Sequence, residues 1–285
     1  MSRPTVDAGT AAGMTVGHAI AAAATHLSFS ATPRLDAELL MAHALGVSRE
    51  AMLLGRMGDS APAAFADLVE RRARHEPVAY ITGCRAFWTV ELEVGPGVLV
   101  PRADSETLIE AAVAHFADTP GPRRVLDLGT GPGTLLLAAL DQWPAATGVG
   151  VDASDAALAY VERNAAALGL AARASWRRGD WADGMKERFD LILANPPYIG
   201  EDEPLPDEVR AHEPAEALFA GADGLDAYRA LAPMLSPLLA PGGIACIEIG
   251  ATQAGAVRAL LEAQGLRTRL HQDLAGRDRC IAATA

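Results

Sequence analysis

The sequence predicts a two-part α/β protein, a small helical bundle followed by a mostly parallel sheet with helices on its faces. Three observations carry this prediction. Up to about residue 80 apolar positions recur at helical spacing; beyond residue 124 short apolar strands alternate with helical stretches; and a glycine-rich loop directly follows the first of those strands. The length of 285 residues exceeds one typical domain, and 50% hydrophobic with 21% charged residues is a globular composition. We therefore expect a helical domain over 1–84, a β-hairpin linker over 85–101 and a sheet domain over 102–285.

In the bundle, residues 15–27 carry one apolar helical face, and Pro33 suits the first turn of the next helix. Leu35, Leu39, Leu40 and Ala44 form its stripe, which Gly46 ends; shorter helices fit 49–54 and 62–74. Arg71-Arg72-Ala73-Arg74 reads as a solvated helix face. The alternation Val90, Leu92, Val94, the turn-like Gly95-Pro96-Gly97 and then 98–100 predict the hairpin. A helix follows over 106–116, with Asp104 or Ser105 at its N-cap, and Arg102 and Glu106 are placed to orient a substrate loop or to form a buried ion pair.

Strands are predicted over 124–128, 148–151, just before Asp180, and over 191–194, 244–249, 267–271 and 280–283, which makes seven; helices fit 134–142, 154–168 and 253–264. The stretch 230–247 is uncharged and reaches the length of a membrane span. Pro233, Pro237, Pro241 and the Gly242-Gly243 pair predict a loop there instead. No basic segment precedes the apolar run 19–24, so no membrane element is expected.

The net charge of −12 argues against sequence-independent nucleic-acid binding, which needs Lys and Arg on phosphates. Cys84, Cys246 and Cys280 are odd in number and form no CxxC pair, and the seven histidines have no ligand spacing. Neither a disulfide framework nor a metal is expected, and a cytoplasmic location fits.

Ligands of parallel sheets bind at the carboxyl ends of strands. There stands Asp127-Leu128-Gly129-Thr130-Gly131-Pro132-Gly133, whose glycines let the backbone turn tightly and approach a ligand. Nicotinamide and flavin enzymes use a related loop, but its spacing here is GxGxG. Asp127 at the strand end suits an amino-acid ammonium, which a pyrophosphate site does not need. Asp152, ending the next strand, can accept from both hydroxyls of a ribose, in adenosyl and nicotinamide cofactors alike. Asp180 and Trp181 follow the third strand, where Asp180 can accept from an adenine amine and Trp181 can cover the ring; Trp181 equally fits an ordinary core position.

Asn195-Pro196-Pro197-Tyr198 ends the strand 191–194. Two prolines stiffen the corner and remove two N–H donors, leaving the Asn195 side-chain oxygen and the Pro196 carbonyl as acceptors. Two acceptors at a fixed angle hold one planar NH₂ group, and Tyr198 can stack on it. An amide or aniline-like nitrogen is a poor nucleophile. Holding it in line with an electrophilic methyl supplies the positioning term, and the acceptors stabilise charge growing on nitrogen.

On these residues the chain resembles the S-adenosylmethionine-dependent methyltransferases with an NPPY motif, and more closely the release factor glutamine methyltransferases of the HemK or PrmC family. Glu76-Pro77-Val78-Ala79-Tyr80-Ile81-Thr82-Gly83 and Val100-Pro101-Arg102-Ala103-Asp104-Ser105-Glu106 are similar to two family segments. Val209-Arg210 with Glu213-Pro214, Asp223-Gly224-Leu225 and Gly276-Arg277-Asp278-Arg279 also match, so the likeness spans nearly the whole chain. The resemblance implies a seven-stranded, Rossmann-like methyltransferase domain and a helical domain that recognises the substrate. It implies S-adenosyl-L-methionine as cofactor, with S-adenosyl-L-homocysteine as product. The segment from Gly129 through Thr130, Gly131 and Pro132 to Gly133 would line its methionine part, Asp152 its ribose and Trp181 its adenine. The corner from Asn195 through Pro196 and Pro197 to Tyr198 would hold the glutamine of the GGQ loop in a class 1 peptide-chain release factor. Departures are Pro132 for a small polar residue, Ala103 for a proline and Ser105 for a threonine.

Two other substrates fit the chemistry: a ribosomal-protein glutamine and, against the charge, a nucleic-acid adenine. Between residues 201 and 226 nine acidic residues accompany one basic residue, Arg210. Such a rim is expected to attract a basic protein partner and to lose that attraction in high salt.

Overall fold

The computed structural model describes residues 13–285, which fall into two compact units. One holds the described residues up to Gly83 together with Pro206–His212; the other holds Cys84–Leu205 and Glu213–Ala285. Two expectations change. Residues 85–101 belong to the second unit rather than forming a linker, and a short stretch from far downstream returns to the first.

The first unit is built from α1 (Val16–His26), α2 (Pro33–Leu45), α3 (Arg49–Gly55), α4 (Ala64–Ala73) and α5 (Val78–Thr82). The Thr15 hydroxyl caps α1 by accepting from the His18 N–H, and Gly46 ends α2 in the left-handed conformation at φ 65°. The buried face of α2 is Ala37, Leu40 and Met41; the expected stripe fails at Leu35, which is 40% exposed. The helix is rotated because Asp36 and Glu38 are buried as well, each held by arginine.

Arg72, expected in solvent, is buried. Its Nε donates to Asp36 Oδ2 at 2.8 Å and its Nη1 pairs with Glu208 at 2.7 Å, while the Ser30 and Thr32 hydroxyls also donate to Asp36. Partners 36 and 136 residues away leave no trace in the local pattern. Truncating one member of a buried pair strands the other charge. Arg72→Ala should therefore destabilise the first unit by about 3–5 kcal/mol, read as a lower urea midpoint. An unchanged midpoint would show that the pair contributes nothing.

In the second unit β1 (Cys84–Phe87) and β2 (Val90–Glu93) form the hairpin, turning at Trp88-Thr89 with Trp88 at φ 53°. The turn is not Gly95-Pro96-Gly97, and 98–100 is not a strand; that stretch instead borders the cavity described below. The hairpin is fixed in place by Trp88 Nε1 donating to Gln142 Oε1 (3.0 Å) and the Glu93 N–H donating to Asn164 Oδ1 (2.7 Å).

The main sheet contains β3 (Arg124–Leu128), β4 (Thr147–Asp152), β5 (Ala174–Arg178), β6 (Phe189–Ala194), β7 (Leu239–Glu248), β8 (Arg267–Gln272) and β9 (Asp278–Thr284). Their order is β5-β4-β3-β6-β7-β9-β8, parallel from β5 to β7 and antiparallel at β9 and β8. The accompanying helices are α6 (Glu106–Phe116), α7 (Thr134–Gln142), α8 (Asp155–Ala167), α9 (Asp226–Leu238) and α10 (Ala254–Glu262). Leu126, Leu128 and Leu191 to Ala194 are fully buried, as central parallel strands require when both faces are covered.

The predicted loop over 230–247 is a correction. Residues 226–238 form α9, with Pro233 and Pro237 inside it, and β7 begins at Leu239. Both prolines lie on the exposed face, while Tyr228, Leu231, Ala232 and Leu235 keep the buried stripe. No helix among the described residues is long and apolar enough to cross a membrane.

Candidate active site

Strand register assembles the site. Leu128 pairs with Val151 on β4 and with Ala194 on β6, and Ala194 pairs with Ile247 on β7. The next residues along, Gly129, Asp152, Asn195 and Glu248, thus stand at one level on the carboxyl edge. The chain leaves β3 toward β4 on one side and returns to β6 on the other, which is the crevice-forming reversal of an open sheet. A cavity of about 420 Å³ opens there, lined by the glycine loop from Gly129 to Pro132 and by Asp127, Asp152, Asp180, Trp181, Asn195 and Pro197.

Within the loop, Gly129 and Thr130 both donate N–H groups to the Val151 carbonyl, and Gly131 N–H donates to Asp152 Oδ2 at 2.8 Å. Gly133 ends the loop at φ 88° as the N-cap of α7. A Cβ there would lie 2.8 Å from Leu137 Cδ1, so glycine is required on both counts. Pro132 has no N–H to offer, but its carbonyl accepts from Asn164 Nδ2 at 2.9 Å, which ties the loop to α8.

Asp127 is 1% exposed. Its Oδ2 accepts from the Thr130 hydroxyl (2.6 Å) and the Leu136 N–H (3.0 Å), while Oδ1 is buried with no hydrogen-bond partner. Burial pushes its pKa up to about 7, against the lowering effect of those two donors. Asp152, less buried, accepts from Gly131 N–H and from Ser154 N–H at 2.9 Å; burial raises its pKa as well. Trp181 sits at φ 48°, packs on the core and also faces the cavity, with Cζ3 3.6 Å from where a Gly129 Cβ would be.

At the Asn-Pro-Pro-Tyr corner, Asn195 Nδ2 donates to Ser105 Oγ at 3.2 Å, so Oδ1 is the acceptor left for a ligand. Asn195 and Pro197 reach the cavity, whereas Pro196 and Tyr198 are not among its lining residues. Tyr198 O–H donates to Glu248 Oε1 at 3.3 Å, and burial raises its pKa, keeping the phenol neutral.

Several groups here carry no local signal. Ser105 does occupy the N-cap of α6, but its hydroxyl makes no capping bond and serves Asn195. Gln253 Nε2 donates to the Tyr198 carbonyl (2.9 Å) and to that of Gly224 (3.2 Å). Gly224, at φ 70°, lies so close under the Tyr198 carbonyl that no Cβ fits, which is the physical reason for glycine in Asp223-Gly224-Leu225. Arg102 and Glu106 do not pair: Arg102 binds buried Glu213, and Glu106 accepts from the Trp88 N–H.

The acidic stretch is less bare than its composition. Glu208 is bound to Arg72, Glu213 to Arg102, and Asp223 and Asp226 to Arg229. Among the described residues Glu201, Asp202, Glu203, Asp207 and Glu216 have no ion-pair partner, and Glu216 borders the cavity.

A glycine loop, an acidic strand end and an Asn-Pro-Pro-Tyr corner, on a sheet in this order, define the class of S-adenosylmethionine-dependent methyltransferases. The family descriptions that match are "PrmC N-terminal domain" over residues 18–83 and "Methyltransferase small domain" over 104–209. Among solved structures, a methyltransferase from Pyrococcus furiosus superimposes with a TM-score of 0.50 at 17% identity, covering 67% of this chain and 86% of that one. The T. thermophilus 16S rRNA N2 G1207 methyltransferase RsmC, in complex with AdoMet and guanosine, gives a TM-score of 0.50 at 23% identity over 70% of this chain and 49% of that one. These likenesses show the fold.

Sequence relatives are nearer. The release factor glutamine methyltransferase of Rhodospirillum rubrum is 45% identical over 88% of this chain and 78% of its own. Those of Caulobacter vibrioides (43%, over 87% of this chain and 88% of its own) and Cereibacter sphaeroides (46%, over 87% and 90%) are similar. The chain belongs to the release factor glutamine methyltransferase family.

Proposed function

We propose that the chain transfers a methyl group from S-adenosyl-L-methionine to the side-chain nitrogen of the glutamine in the GGQ loop of class 1 peptide-chain release factors. The observation that carries the reading is Asn195, which lines the cavity and whose Nδ2 is engaged by Ser105, so that Oδ1 is the acceptor left for a ligand. Together with the Pro196 carbonyl it takes both hydrogens of the target amide, leaving the lone pair free.

The residues present fit the cofactor. Asp127 Oδ1, a buried acceptor without a partner, suits its ammonium. Asp152 is left to accept from the ribose hydroxyls, Asp180 from the adenine amine, and Trp181 to cover the adenine ring. When bound, S-adenosylmethionine supplies an electrophilic methyl on a sulfonium. Asn195 and Pro196 hold the amide nitrogen toward it and gain strength as positive charge develops on that nitrogen, which is stabilisation specific to the transition state. Tyr198 packs behind the corner and stiffens it. The bundle reads as the part that recognises the release factor, because the chemistry lies wholly in the second unit. The reaction belongs to the cytoplasm, where translation terminates.

The test is methyl transfer from labelled S-adenosylmethionine to a purified release factor beside its GGQ-to-GGA variant. Label on the first alone supports the reading. Label on a ribosomal protein or DNA instead would leave the chemistry and overturn the substrate.

Asp127 makes the cofactor site pH-dependent. Its pKa rises from 3.8 unfolded to about 7 folded, so the native state binds the proton more tightly. Ionising Asp127 therefore costs native stability as pH rises through that window, and a ligand ammonium offsets the cost. Affinity for S-adenosylhomocysteine should rise between about pH 6 and pH 8, measured by calorimetry. Asp127→Asn should flatten the profile; a slope that survives the change would assign it elsewhere.

A further inference from the structure

We propose that Gln253, at the N-cap of α10, anchors the downstream end of the Asn-Pro-Pro-Tyr corner and so acts as a positioning residue for methyl transfer. The proposal rests on the Asn195 side chain and the Pro196 carbonyl holding the target amide, as read above.

The composition of the corner creates the need for an anchor. Pro196 and Pro197 have no N–H, so neither can be tied to a neighbour by donating. Their rings fix φ, which leaves mainly ψ rotations between Asn195 and Tyr198. The direction of the Pro196 carbonyl is therefore set by what holds the two ends. Upstream, Ala194 pairs with Leu128 and Ile247 in the sheet, and Asn195 Nδ2 donates to Ser105 Oγ. Downstream, β6 has already ended. Ile199 exchanges backbone bonds with Leu218 and Ala220, which belong to the connection into α9 and not to the sheet. The Tyr198 hydroxyl reaches Glu248 at 3.3 Å, but that bond holds the ring. The backbone itself is held by Gln253, whose Nε2 donates to the Tyr198 carbonyl at 2.9 Å.

The partners of Gln253 fix its amide in one orientation. Nε2 also donates to the Gly224 carbonyl at 3.2 Å, and Oε1 accepts from the Gly250 N–H at 3.0 Å. Backbone carbonyls only accept and a backbone N–H only donates, so a flipped amide would face like against like at all three contacts. The side chain makes no capping bond to its own helix. The chain is also built closely around it: a Cβ on Gly224 would lie 2.9 Å from Nε2, and one on Gly250 2.8 Å from Oε1. One side chain thus joins the corner, the turn beyond β7 and the loop before α9. Gln253 is not among the residues that line the cavity, so its effect on the reaction passes through the corner.

The experiment compares wild type, Gln253→Met and Gln253→Glu as full chains in methyl transfer to the release factor, with the cofactor saturating. Methionine keeps the length and loses every bond. Glutamate, assayed well above neutral pH so that it is ionised, keeps the acceptor for the Gly250 N–H but sets an oxygen against the Tyr198 and Gly224 carbonyls. Both variants should lower kcat by about 10–100-fold, while KM for the release factor and Kd for S-adenosylhomocysteine stay within a few-fold of wild type. A displaced acceptor costs most when the nitrogen must stand in line with the methyl, which is a demand of the transition state. The calorimetric stoichiometry counts folded sites, so a loss of folded protein cannot imitate a loss of kcat. If Gln253 only shaped the turn into α10, glutamate would keep wild-type kcat, and that result would overturn the proposal.

A second readout follows the bond without substrate. The chain has four tyrosines, so labelling their carbonyl carbons with ¹³C gives few signals. That of Tyr198, assigned by its loss in Tyr198→Phe, should move upfield in Gln253→Met, as a carbonyl does on losing a donor. An unmoved signal would overturn the proposal. A wild-type enzyme that labels another protein and no release factor would overturn the substrate reading instead, and the same comparison on that protein would still decide the role of Gln253.

Discussion

Asn195→Ala is expected to lower methyl transfer by about 10²–10³-fold while S-adenosylhomocysteine affinity changes by no more than a few-fold. The magnitude follows from where the contact is made. Asn195 Oδ1 accepts from an amide whose nitrogen gains positive charge only as the methyl arrives, so the interaction strengthens in the transition state and adds little to ground-state binding. Alanine removes the acceptor and leaves the Pro196 carbonyl to hold one of two hydrogens. It also leaves Ser105 without its Nδ2 donor. Single-turnover rates beside calorimetric Kd values separate the two effects. Equal losses in both would show Asn195 to be chiefly a cofactor ligand.

Asp152→Ala should act on the other quantity. The Asp152 carboxylate bridges Gly131 N–H on one loop and Ser154 N–H on another, at 2.8 and 2.9 Å, and still faces the cavity. Its removal takes away charged hydrogen bonds to the ribose hydroxyls, worth about 1.5–3 kcal/mol each, and frees the two loops it holds. Cofactor affinity should fall by about 3 kcal/mol, roughly 150-fold, with kcat at saturating cofactor within a few-fold of wild type. Asp152→Asn, which keeps one acceptor, should fall between. An unchanged Kd with a reduced kcat would move Asp152 out of the cofactor site. Thermal unfolding of the apo variants provides the control, since the loop contacts persist in wild type without ligand.

Much of this was legible in the residues themselves. Apolar runs with glycine or proline at their ends marked β3, β4 and β6 within a residue or two, because central parallel strands bury both faces. The glycine loop and the Asn-Pro-Pro-Tyr corner were visible for a related reason. Each is contiguous, and each uses residues whose backbone limits are absolute: Gly133 where no Cβ fits, and prolines where no N–H is wanted. α9 was missed because proline is read as a breaker without knowing which face it occupies. Pro233 and Pro237 both lie on the exposed face and leave the buried stripe of the helix intact.

The sequence by itself determined the order of the seven strands of the main sheet, the acceptor chemistry of the corner and the acidic residues at the ends of β3 and β4, all of which depend on neighbours within a few positions. Tertiary structure alone decided which partners those groups meet. Arg72 found Asp36 and Glu208, Ser105 left its capping role for Asn195, and Glu248 came to lie behind the site. The physical reason is that burying a charge or an amide demands a specific partner. The register of a parallel sheet supplies that partner from strands and loops scores of residues away, where no periodicity in the chain records the match.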